Sequence, residues 1–127
     1  MMSQELIKTF DRTVVLFNEQ KWDELAPLLD KDVTAVGIDH PLKHHYKGPA
    51  EVLKFLRDYA GAQFRPHSEQ QILVRGRSGL VAGIAHWKDP GDGDDALIIY
   101  DFAFINRATP GAPPQWLLLR LGSTHAD

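Results

Sequence analysis

The chain has 127 residues, no Cys, and a net charge of −3 from 14 basic and 17 acidic side chains; 43% of residues are hydrophobic and 24% charged. That length suits a single domain spanning residues 1–127 around one core, and the lack of Cys excludes disulfides, thiolate metal sites and Cys nucleophiles together. No basic block points to nucleic acid, no apolar run nears membrane-spanning length, and no secretory leader is visible, so a cytoplasmic protein without nucleic-acid or membrane partners is expected.

In chain order, Leu6, Phe10, Val14 and Phe17 recur at spacings of four, four and three, one apolar face of a helix for which Ser3 is a plausible N-cap. In "EQKWDELAPLLDKD", Trp22, Leu25, Leu28 and Leu29 share one face of a short second helix. Pro27 is tolerable there only close to the helix start, or with a kink. "VTAVGID", Val33 to Asp39, is β-branched and reads as a short strand. Gly48-Pro49 opens a third helix, with Pro where its missing N–H costs least. Val52, Phe55, Leu56 and Tyr59 form its apolar face, and Gly61 is a natural stop.

Beyond "GAQFRP" the pattern changes. "SEQQILVRGR", "GLVAGIAHW", "DALIIYDFAFINR" and "QWLLLRLGS" are strand-like runs. The links "RSG", "KDPGDGDD" and "ATPGAPP" carry turn chemistry and suit antiparallel neighbours. "DPGDGDD" lacks the aspartate spacing and closing Glu of a calcium-binding loop and reads as a solvated hairpin. Helices followed by an antiparallel sheet make an α+β layout. In the third of these strands Ile98, Tyr100, Phe102 and Phe104 oppose Leu97, Ile99, Ala103 and Ile105, so both sheet faces want cover. The helices cover one face, and a second copy of the chain is the natural cover for the other: a homodimer packed through the sheet.

The order of parts resembles the nuclear transport factor 2-like superfamily over nearly the whole chain. It runs helix, "KWDELAPLLDKDV", short strand, "YKG", third helix, then a meander of long strands. Within the superfamily it looks closest to the SnoaL-like and ketosteroid-isomerase-like groups. The resemblance implies a cystatin-like cone: a curved antiparallel sheet wrapped around three N-terminal helices, with an apolar pocket at its open end. It also implies a cofactor-free enzyme acting by proton transfer on a small apolar carbonyl compound: an isomerase, cyclase or dehydratase. The superfamily includes non-catalytic proteins, so a ligand-binding or protein-interaction module is the alternative.

Candidate catalytic residues follow from the same comparison. Asp39 ends the first predicted strand, nine residues before Gly48, as the general-base Asp does in ketosteroid isomerases. Its plainer reading is a turn residue before Pro41. Asp101, inside "IIYDFAF", is the most anomalous residue of the chain, because a carboxylate in a buried strand is expensive unless paired or protonated. The resemblance puts it near the protonated Asp that stabilises an oxyanion in ketosteroid isomerase. The competing reading pairs Asp101 with a basic neighbour such as Arg120. The isomerase pattern also wants a Tyr on the first helix, where this chain has "FDRTVVLF" with Thr13 nearby. His40, with Asp39 or Asp101, is a candidate proton carrier, as in the His–Asp pair of scytalone dehydratase. Metal binding by His40, His44 and His45 is disfavoured by Pro41 and by the lack of convergent ligand spacing, so no metal or other cofactor is expected. Phe55, Tyr59, Trp87 and Trp116 are candidate walls for the ligand, each also fit for the core.

Overall fold

The computed structural model describes residues 2–36, 45–91 and 95–125. Helix α1 spans Met2–Asn18 and α2 spans Trp22–Leu25, continued by a single 3₁₀ turn over Ala26–Leu28. Strand β1 runs Leu29–Val36, β2 His45–Lys47, and helix α3 Pro49–Arg57. The long strands are β3 (Gln63–Arg75), β4 (Ser78–Lys88), β5 (Asp95–Asn106) and β6 (Trp116–His125). Among the described residues no helix is long and apolar enough to cross a membrane.

The six strands form one open, curved sheet in the order β2-β1-β6-β5-β4-β3. The expected α+β layout is therefore present, with one change: β1 runs parallel to β6, so the sheet is mixed rather than antiparallel. The meander β3–β6 is antiparallel throughout, as the turn chemistry of its links implies. The tight connection lies at Gly76-Arg77, one residue earlier than "RSG", where Gly76 takes φ 59°. Ser3 is not a cap, since α1 already begins at Met2. Pro27 sits in the first turn of the 3₁₀ segment, where its ring breaks no ladder and redirects the chain into β1. Strand β3 begins before "SEQQILVRGR" and includes Pro66, with a register shift between Pro66 and Gln70 that bends this edge strand.

Helix α1 lies in the concave face of the sheet. Leu6 and Phe10 are fully buried, and Phe10 stacks on Tyr100 at 5.6 Å and tilts against Phe102 at 5.4 Å. At one end the packing is tight: a Cβ on Gly79 would come within 2.8 Å of Leu6 and 3.1 Å of Trp116. At the other end Asn18 acts as an extra strand. Its side-chain amide donates to Phe64 O at 2.9 Å and its carbonyl accepts from Phe64 N at 2.8 Å. The base of the sheet is tied by Asp30, 1% exposed, whose carboxylate accepts from Arg107 Nε at 2.8 Å and Nη2 at 3.0 Å. Asp32 N donates to the same carboxylate at 3.0 Å. This bidentate pair joins the start of β1 to the chain just after β5.

The Arg107 guanidinium holds the Asp30 carboxyl below its ordinary pKa, against the opposing effect of burial. A depressed folded pKa stabilises the protein fully above the unfolded carboxylate pKa of about 3.9, and that stabilisation is lost as pH falls through the lower folded value. Chemical denaturation at pH 7 should find Asp30→Ala about 1–2 kcal/mol less stable. The deficit should shrink between pH 4 and pH 2, roughly the range over which the carboxylate is protonated.

Candidate ligand-binding site

Between the clamped end of α1 and the sheet the packing opens into a cavity of about 50 Å³, measured as space open to the centre of a water-sized sphere. It is a narrow space, enough for a few waters or a small apolar group. Helix α1 contributes Thr13, Val14 and Phe17, and α2 contributes Leu25. Helix α3 lays Phe55, Leu56 and Tyr59 across another side, and Phe64, Trp87, Ile98 and Phe102 line it from the sheet. Leu121 and Ser123 of β6 complete the lining.

The aromatic walls hold one another. Tyr59 meets Phe55 and Trp87 edge-on, each with ring centroids 5.4 Å apart, and Phe17 tilts against Trp87 at 5.8 Å. Trp87 Nε1 donates to Asp89 Oδ1 at 2.7 Å, which fixes the indole by its polar edge and leaves its apolar body toward the cavity. Tyr46 stacks on Phe55 at 4.5 Å and supports α3 from β2. Thr13 Oγ1 donates to Thr9 O at 2.8 Å, so this hydroxyl is satisfied within its own helix. Ser123 Oγ is shut off from solvent and has no hydrogen-bond partner among the described residues.

Phe55, Tyr59 and Trp87 therefore line the cavity as candidates from the sequence. Trp116 does not. It lies at the start of β6, roughly 17 Å up the strand from Leu121, and belongs to the closed end beside Leu6 and Gly79. Asp101 also lies elsewhere. Tyr100 and Phe102 point inward, so strand alternation sends Asp101 to the outer face, where its carboxylate accepts from Arg120 Nη2 at 3.0 Å. Its side chain is 45% exposed, and its ladder neighbours Ala82 and Gly122 are too small to cover it. Asp101 is not among the residues that line the cavity, and it forms a surface ion pair, the competing reading of the sequence. Asp39, His40 and His44 lie outside the described residues, and His45 is exposed on β2. Among the described residues no cluster of three His, Cys, Asp or Glu could hold a metal ion.

Burial raises the pKa of Tyr100 and, on α1, of Asp11. Neither lines the cavity.

No family model matches the chain, and no curated protein matches it by sequence. Solved structures do. An NTF2-like protein with a cystatin-like fold from Novosphingobium aromaticivorans aligns with TM-score 0.74 at 15% identity, over 99% of this chain and 83% of that one. The chain has the nuclear transport factor 2-like, cystatin-like fold. A Streptomyces avermitilis protein of the NTF2-like family, provisionally named a dehydratase, aligns with TM-score 0.78 at 16% identity, over 98% and 96% of the two chains. A CaMKII hub from S. rosetta aligns with TM-score 0.77 at 14% identity, over 98% and 96%. Proteins this dissimilar in sequence share the fold; their activities and assemblies are their own.

Proposed function

We propose that this chain is a binding module that holds a small, largely apolar molecule in its cone, between α1, α3 and the sheet. The observation that supports it is the cavity itself. Six aromatic rings, Phe17, Phe55, Tyr59, Phe64, Trp87 and Phe102, line it together with aliphatic side chains, and no carboxylate, His, Lys or Arg does so among the described residues. An apolar pocket with few polar groups is the usual form of a small-molecule site. Val14 lines the cavity from α1 and is 9% exposed. Protein-observed NMR should show methyl and indole shifts on titration with toluene, confined to this cavity. Val14→Phe, which fills the space, should weaken binding at least tenfold, and unchanged affinity in that variant would refute the site.

A second reading, proton-transfer catalysis, is favoured by one feature. Val36 and His45 are ladder partners, and Tyr46 beside them stacks on Phe55, so the segment that carries Asp39 leaves and rejoins the sheet next to a wall of the cavity. Asp39 is the base in that reading. Small ketones incubated with the protein in D2O should then gain deuterium at the α-carbon. Asp39→Asn should abolish the exchange while Asp101→Asn leaves it intact. No exchange with any ketone that binds leaves binding as the function.

The outer sheet face supports self-association. Leu73, Ile84, Leu97 and Ile99 are 42–62% exposed there, with Ile84 and Ile99 paired across β4 and β5. The Asp101–Arg120 pair beside them puts both charges on one surface, so two copies related by a twofold axis can exchange partners. A homodimer through this face is the reading, and the CaMKII hub neighbour has the same fold. Sedimentation should give a dimer that Ile99→Lys converts to monomer; a monomeric wild type at micromolar concentration would exclude it.

A further inference from the structure

We propose that self-association of this chain is controlled by pH through His67 and His86 on the outer sheet face. The dimer forms while both imidazoles are neutral and comes apart as the pH falls through the range in which imidazoles take up protons. The inference rests on the self-association reading. His67 and His86 stand on neighbouring strands with ring centroids 5.0 Å apart, tilted by 43°. Neither lines the apolar cavity.

Both rings belong to the face that carries the exposed aliphatic side chains. On β4 the buried Ala85 and Trp87 point inward, so Ile84 and His86 point outward. His86 is the ladder partner of Leu97, and Ile84 is the partner of Ile99. The register shift between Pro66 and Gln70 gives β3 extra length at His67, and His67 lines the same outer groove as Ile84 and Ile99. A second copy seated on Ile84, Leu97 and Ile99 therefore lies against both imidazoles.

A neutral imidazole has an apolar body and packs against aliphatic side chains at little cost. An imidazolium gives up water when it is covered, and burial disfavours its charge. Two imidazolium rings this close also repel each other. The other charges that face the pair, among the described residues, are Arg65 and Glu69 on β3, Lys88 on β4 and Asp95 on β5. Arg65 stands directly opposite His86, Lys88 and Asp95 pair on the next outward rung, and Glu69 lines the groove with His67. Two cations and two anions nearly cancel, and the one on the rung of His86 is a cation. Farther along the face Asp101 and Arg120 neutralise each other. Desolvation and mutual repulsion therefore decide the sign, and both favour a dimer with neutral rings.

An ordinary imidazole titrates at about 6.5. A histidine that must shed its proton to enter the interface weakens association about tenfold at one pH unit below that value. A twofold interface presents each histidine twice, so tenfold is the lower bound. Sedimentation of wild type from about pH 7.5 to about pH 5.5, at fixed ionic strength, should show the dimer Kd rising at least tenfold. Carboxylates titrate mainly below this window. The double variant His67→Gln with His86→Gln should remain dimeric at the upper pH and lose most of the dependence. A wild-type dimer indifferent to pH, one that tightens as pH falls, or a double variant that keeps the full dependence would each overturn the switch and leave the homodimer standing. Wild type that is monomeric throughout would overturn both. Ring signals of His67 and His86, followed by NMR in wild type above and below its Kd, give a second readout that needs no variant. By linkage both rings should take up protons at lower pH in the dimer than in the diluted monomer, and coincident titrations would refute the inference.

Discussion

The seating of α1 in the concave face of the sheet sets everything else in this structure. It is anchored at both ends by different means. At the Leu6 end the anchor is steric, since the missing Cβ of Gly79 lets the helix approach until leucine and the Trp116 ring fill the gap. At the Asn18 end it is polar, since the Asn18 amide pairs with both backbone groups of Phe64 as a neighbouring strand would. Phe10 on Tyr100 and Phe102 fixes the middle. A helix held at three points over a curved surface cannot follow it everywhere. The space left near Phe17 is the cavity, and α3 closes its side with Phe55, Leu56 and Tyr59.

Strand β5 illustrates how one sheet serves two environments. Its inward residues Ile98, Tyr100, Phe102 and Phe104 are buried against α1 and the other helices. Its outward residues include Leu97 and Ile99, 45% and 46% exposed, and Asp101. An ion pair as exposed as Asp101–Arg120 adds little stability in water. Its effect is on arrangement, because it interrupts an apolar surface that would otherwise invite unspecific contact, and it gives that surface a fixed pattern of charge.

Most of the fold is legible in the sequence, because most elements are amphipathic and separated by Gly and Pro. The heptad-like face of α1, the Gly48-Pro49 helix start and the antiparallel meander all carry local signals, and each appears where the pattern puts it, within a residue or a few. The parallel pairing of β1 with β6 does not, since it joins residues some ninety positions apart through a backbone ladder that leaves no periodic trace. Asp101 looked anomalous because "IIYDFAF" is apolar on both sides, but burial there alternates, and the outward neighbours Ala82 and Gly122 leave the carboxylate in solvent. The inward face of β6 is hidden for a related reason. Alternation counted from Trp116 puts Ser123 outside, and only the extra residue at Leu119 reverses it. A bulge is set by the partner strand, so no count along β6 alone finds it.

The chemistry of the lining is what separates binding from catalysis in this cone. Proton transfer at carbon needs a base whose pKa is tuned by a dry site, and a second group to carry the developing charge. The described lining is apolar, and no carboxylate is among its residues. The mutually braced rings give the cavity a wall of apolar surface. The same wall would supply the second of the two requirements poorly, because an apolar aromatic surface disfavours an oxyanion as strongly as it disfavours water. With Asp101 on the outer face, no carboxylate among the described residues lines the cavity, and its apolar wall disfavours a charged occupant.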